Sequence, residues 1–166
     1  MRVFIGLAAL ALMIGSVALA NDCPNLSGKF GVTQVTDENG TRPVDPTRVK
    51  IGVVQSGCAS LTITQNRENM PEESTVTRIR TDGTPMLYIP SPEAGDGPDE
   101  YTSFGFKGQK LAGEILYLYV GNTQFHHTGA ILTYDLDETG NLREYLAYPD
   151  GHGAMTIVLS FKTQRD

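Results

Sequence analysis

The stretch Val49-Lys50-Ile51-Gly52-Val53-Val54-Gln55-Ser56-Gly57-Cys58-Ala59-Ser60-Leu61-Thr62-Ile63-Thr64 places apolar side chains at alternate positions on either side of a Ser-Gly turn. Neighbouring side chains of a strand leave opposite faces, so Val49, Ile51 and Val53 share one face, and Leu61 and Ile63 share another. The same pattern recurs along the chain. Phe104 and Phe106 alternate, as do Met155, Ile157, Leu159 and Phe161, and turn residues punctuate the runs at Asp37-Glu38-Asn39-Gly40, Asp82-Gly83, Lys107-Gly108-Gln109-Lys110, Asp137-Glu138-Thr139-Gly140-Asn141 and Pro149-Asp150-Gly151. Short strands separated by turns at such intervals predict an all-β domain. No segment after residue 20 carries apolar residues at spacings of three and four through several turns, so helix is not expected. Links short enough for hairpins favour an antiparallel up-and-down barrel of about eight to ten strands, with a β-sandwich as the alternative.

Two connections are longer, Asn66 to Ser74 and Pro90 to Glu100. The second combines three prolines with four carboxylates and reads as a solvated acidic loop. Leu111 to Val120 breaks the alternation, because Ile115, Tyr117 and Tyr119 on one face are matched by Leu116, Leu118 and Val120 on the other. Such a strand is covered on both sides. Its outer cover is either another subunit, giving a homo-oligomer through Leu116, Leu118 and Val120, or a segment of the same chain.

Residues 1–20 have a different character: Arg2, an apolar run from Val3, and Ala18-Leu19-Ala20. That is the layout of a signal peptide cleaved after Ala20, which predicts a periplasmic or extracellular single domain over 21–166 with no membrane span left after cleavage. Losing Arg2 makes the net charge one unit more negative than −6, and the remaining cations form no stripe, which argues against nucleic acid as a partner. Both cysteines, Cys23 and Cys58, survive cleavage. In an oxidising compartment an even pair predicts a disulfide that stabilises the fold by roughly 3 to 4 kcal/mol.

The opening Cys23-Pro24-Asn25-Leu26-Ser27-Gly28-Lys29-Phe30 resembles the start of calycin-type barrels, the lipocalins and avidins, whose Leu-x-Gly-x-Trp motif begins the first strand. The resemblance implies a calycin-like barrel with Phe30 plugging one end where the family has tryptophan. The chain has no tryptophan, and the tryptophans that line the avidin biotin site are therefore missing, so biotin is not carried over. With the chain running out on Ala154 to Lys162 and no lipocalin-like helix after it, the avidin-like barrel is the nearer architecture.

Chemical motifs are sparse. His126, His127 and His152 form the only possible histidine metal set, but adjacent strand residues face opposite ways and His126 and His127 cannot share an ion there. Asp135-Leu136-Asp137-Glu138-Thr139-Gly140 imitates the start of a calcium loop, yet its twelfth position is Leu146, where a bidentate glutamate is needed, and a hairpin turn accounts for it. No metal and no cofactor is expected. Nucleophile elbows, His-Glu-x-x-His and phosphate-binding glycine loops are all missing, and a non-enzymatic role follows. Phe30, Phe104, Phe106, Tyr117 and Tyr119 are the candidate ligand-binding residues, since a barrel of this size holds either packed side chains or one small molecule. The expected partner is a small apolar molecule. The alternative is a partner protein, with the chain serving as a periplasmic interaction module such as an enzyme inhibitor or envelope assembly subunit.

Overall fold

A computed structural model describes residues 23–68, 74–89 and 97–165. The signal-like residues 1–20 and most of the proline-rich loop lie outside them. Every regular element among the described residues is a strand: β1 (Gly28–Asp37), β2 (Gly40–Pro43), β3 (Val49–Ser56), β4 (Ser60–Arg67), β5 (Thr75–Arg80), β6 (Met86–Ile89), β7 (Asp99–Lys107), β8 (Lys110–Leu118), β9 (His126–Leu136), β10 (Leu142–Pro149) and β11 (Met155–Arg165). All pair antiparallel in one sheet, ordered β5-β4-β3-β1-β11-β10-β9-β8-β7-β6, with short β2 set beside β1.

The ten-strand round is thus an up-and-down meander whose first and last strands meet. Phe30 pairs with Arg165 and Val32 with Thr163. Between the two ends of the path, β5 and β6, a single bridge from Asp82 to Gly105 of β7 draws the edges together. Gly83 N–H donates to Phe104 O at 2.8 Å beside it. The barrel is nearly closed, and the exposed edge that an open sheet would present is reduced to this seam.

Alternation is interrupted at three places besides β6, where Tyr88 is the extra residue between Leu87 and Ile89. Thr33 is the extra residue of β1, between Val32 and Gln34, and the β8–β9 register shifts between Glu114 and Leu116, where Gly129 takes φ 72°. The third corrects the reading of β11 as one alternating face. Leu146 pairs with Leu159 but Ala147 with Ile157, so Val158 is an inserted residue. Met155 and Ile157 therefore occupy the opposite register from Leu159 and Phe161, and Met155 is exposed.

One end of the barrel is sealed. Leu26, Phe30, Leu61, Ile79, Leu111 and Leu142 are buried there in a single core cluster. The seal is stitched by Gln55, whose Oε1 accepts from Leu26 N–H at 2.8 Å and whose Nε2 donates to Pro24 O at 2.9 Å and Gly57 O at 2.8 Å. Cys23 and Cys58 are joined as the compartment argument expects, with Cα atoms 5.6 Å apart. Phe30 forms the plug. Its ring lies against Gly28, where a Cβ would come within 2.8 Å of the ring, and under the Arg165 guanidinium at 5.4 Å.

Candidate functional site: the barrel interior

Register decides which residues look inward. Following the pairs Phe106–Leu111, Leu111–Tyr134, Tyr134–Glu144 and Glu144–Phe161 around β7 to β11 gives one inward row. The next row toward the other end runs Phe104, Gly113, Leu132 and Leu146. Beyond it stand Thr102 and Ile115, then Glu100 and Tyr117.

Packing differs along this axis. At the sealed end Leu26, Phe30, Leu61, Ile79, Leu111 and Leu142 are buried almost completely, with Gln55, Phe106 and Leu136 half-buried beside them; toward the other end Thr102 and Ile115 are buried on β7 and β8, whereas Val35, Val49, Ile63, Glu144, Leu146, Tyr148 and Phe161, at inward registers on β1, β3, β4, β10 and β11, are half-buried. Strand direction places the connections 119–125 and 150–154 together at this second, open end. A filled barrel of close-packed side chains would bury these residues as it buries Leu111 and Leu142. Their residual accessibility leaves apolar side-chain surface uncovered along β1, β3, β4, β10 and β11 on that side.

A polar group sits deep in the interior. Tyr134 on β9 lies within hydrogen-bonding reach of both Tyr88 on β6 and Glu144 on β10. Tyr88 can donate to Tyr134 and Tyr134 to the Glu144 carboxylate, a chain running across the interior. Burial pushes the Glu144 carboxyl up to about 7, opposed only by the Tyr134 hydroxyl. Burial, and next the Glu144 charge, push Tyr88 up to about 12 and Tyr134 well above the ordinary phenol value. Nearer the mouth, burial raises Glu100, and burial followed by the Tyr148 and Glu100 charges raises Tyr117. Between them is Thr102, 2% exposed, whose Oγ1 is the one buried side-chain polar atom among the described residues with no hydrogen-bond partner. Its methyl leans toward Gly113, where a Cβ would come within 2.7 Å of it.

The residues singled out from sequence separate along the axis. Phe30 belongs to the plug of the sealed end. Phe104 is buried beside Tyr134, ring centroids 6.1 Å apart, and Phe106 packs partly against the same core. Tyr117 and Tyr119 stand at the open end in an edge-to-face pair 6.5 Å apart, and Tyr119 approaches His126 at 6.4 Å. Sequence reasoning passes over Tyr88, Thr102, Tyr134 and Glu144. The signal available is a carboxylate inside an apolar alternation, Leu142-x-Glu144-x-Leu146. Composition assigns Glu100 to the acidic loop, but β7 begins at Asp99 and carries Glu100 to an inward register opposite Tyr117.

Other motifs are occupied by structure. Asp135 takes a two-pronged contact from Arg143 at 2.8 and 3.0 Å and Lys110 at 3.4 Å. Asp137 accepts from the backbone N–H groups of Thr139 and Asn141, each at 2.9 Å, which closes the β9–β10 hairpin turn. His127 meets Glu114 at 3.0 Å on the outer face, while His126 sits opposite inward-facing Tyr117. On that outer face Leu116 is only 3% exposed within the single chain, and Phe125 from the β8–β9 connection packs on Tyr101, the cross-strand neighbour of Leu116, at 5.0 Å. The chain's own loop supplies cover there. Val120, 78% exposed, stays outside it. Among the described residues no helix is long and apolar enough to cross a membrane.

Architecture and topology give a nearly closed up-and-down β-barrel, calycin-like in fold. Solved structures similar to it include the REP1-NXSQ fatty acid transporter, with 13% identity, TM-score 0.51, and coverage of 85% of this chain and 96% of that one. Wild-type fluorescent protein UnaG is similar at 11% identity and TM-score 0.52, covering 84% of this chain and 95% of that one. At such identities the likeness is one of fold. No family model matches the sequence, and no curated protein matches it.

Proposed function

We propose that this chain is an exported, non-enzymatic barrel that binds one small, largely apolar molecule in the open half of its interior. The observation that carries the reading is the half-buried inward wall of Val35, Ile63, Leu146 and Phe161 above a sealed end. Pockets for small molecules are commonly concave, mostly apolar and furnished with few polar groups, and this wall with Tyr88, Tyr134 and Glu144 has that make-up. The similar fold of a fatty acid transporter is in keeping with it. Export is supported by the signal-like residues 1–20 and by the Cys23–Cys58 bridge, which persists in oxidising compartments. Native mass spectrometry of protein purified gently from its own host tests the reading. A small molecule lost on denaturation is the expected result, and a bare chain that also takes up no apolar dye contradicts it.

A second reading, a protein-interaction module, rests on the exposed side chains of Leu87, Tyr119, Val120 and Met155. It predicts a complex or homo-oligomer whose mass changes with Val120→Asp; an unchanged monomer removes its basis.

A further inference from the structure

The acidic groups of the interior stand among hydroxyls, with Gln65 of β4 and, at the mouth, His126 as further polar side chains at inward registers. Glu144 and Glu100 are both at inward registers, and the side chains nearest them, Tyr88, Tyr134, Tyr117 and Thr102, carry hydroxyls rather than charges. Cations at inward registers occur, among the described residues, only toward the ends of the barrel. Arg165 covers Phe30 at the sealed end, Arg42 is bound to Asp37 at 2.8 Å, and Arg67 is the exposed last residue of β4. None of them contributes to the environment of Glu144, where burial and the Tyr134 hydroxyl are the acting influences.

We infer that the chamber, if it binds a ligand as proposed above, selects an amphiphile whose head is an ammonium group on an apolar tail, with Glu144, at an inward register in the half-buried wall, as the counter-ion and Tyr134, its cross-strand neighbour, as the adjoining hydrogen-bond partner. An ammonium offers three donors and no acceptor, the complement of a carboxylate. Charge-assisted bonds of this type are stronger than neutral ones. A carboxylate head meets the reverse situation, because it brings a second negative charge beside Glu144 with no cation to balance either. Before ligand arrives, burial holds Glu144 near half-protonation at neutral pH, which lessens the cost of keeping an unpaired carboxylate inside. An arriving ammonium favours its ionised form. The apolar wall formed by Leu146, Ile63 and Val35 then takes the tail.

The test uses the full chain with its disulfide formed, loaded with the neutral dye Nile red and titrated at about pH 8 with decylamine, decanol or decanoate below their aggregation concentrations. Decylamine is expected to displace the dye at a concentration about tenfold or more below that of decanoate. Glu144→Gln brings the two within about threefold while leaving decanol unchanged. Glu114→Gln, on the outer face, removes the same charge from the molecule and leaves the preference intact. Should Glu144→Gln fail to fold by circular dichroism, Tyr134→Phe serves in its place and lowers the preference severalfold. Decanoate binding as well as decylamine, or a preference that survives these interior changes, overturns the assignment while leaving the chamber itself standing. Failure of the dye and all three decyl compounds to bind overturns the chamber reading as well.

Discussion

The two ends of the barrel are built from the same alternation and come out differently. At the sealed end every inward position carries a side chain that reaches a neighbour: Phe30 folds over Gly28, Leu26 is drawn in by Gln55, and Leu61, Ile79, Leu111 and Leu142 close the layer. At the open end inward positions alternate between medium apolar groups and polar ones, such as Leu146 beside Glu144 and Ile63 beside Gln65, and among the described residues no plug descends to fill the space. A strand of fixed periodicity thus serves either as core or as chamber wall. What decides is whether a segment outside the strands, here residues 23–27 tied down by the disulfide, supplies the extra volume.

That contrast predicts a ranked set of stability effects. Phe30→Ala should be the most costly, about 3 to 5 kcal/mol by urea unfolding, because it empties the plug in a layer that cannot collapse around the gap. Replacing Cys23 and Cys58 together by serine should cost about 2 to 4 kcal/mol, through release of the segment that holds the plug. Equal effects from Phe30→Ala and Leu146→Ala would erase the distinction between the two ends.

Glu144 supplies the pH-dependent comparison. Its carboxyl is held at about 7 in the folded chain against an ordinary 4.5, so folding favours the protonated form. The stabilisation is fully present below about pH 4.5 and is lost as pH rises through about 7. Ligand-free protein should therefore lose up to about 3 kcal/mol across that window from this group, since each tenfold difference in proton affinity between folded and unfolded chain is worth a little over 1 kcal/mol. Glu144→Gln should flatten the loss, as read by thermal melts at several pH values. A variant with the same pH slope as the parent would place the carboxyl in free solvent. Smaller still, Leu146→Ala should cost below about 1.5 kcal/mol, since a half-buried side chain leaves little cavity behind. Val120→Ser should stay within about 0.5 kcal/mol of the parent.

Much of this architecture is legible in the sequence, because period-two alternation and glycine turns are local properties. Val49, Ile51 and Val53 do share the inward face, and the Cys23–Cys58 link follows from compartment and count. What escapes depends on partner strands. The inserted Val158 is visible only in the register of β10 against β11, so nothing local separates Met155 from Phe161. Glu144 is marked in the sequence only by Leu142 and Leu146 on its own side of β10, and the pairing with Tyr134 is what shows that side to look inward. Glu100 merges with the proline-rich loop because nothing local marks where β7 begins. The doubly apolar stretch from Leu111 reads as covered on both faces and is so at Leu116, where the cover on the outside involves the loop that follows it.

The central claim is that the open half is a chamber and the sealed half is not. Titrating decanol into isotopically labelled protein and following backbone amide NMR signals tests it most directly. The account predicts saturable shifts at Ile63, Leu146 and Phe161, with Phe30, Leu111 and Leu142 unmoved. Shifts confined to outward-facing residues such as Val54 and Val120, or no saturable shift at all, would contradict it.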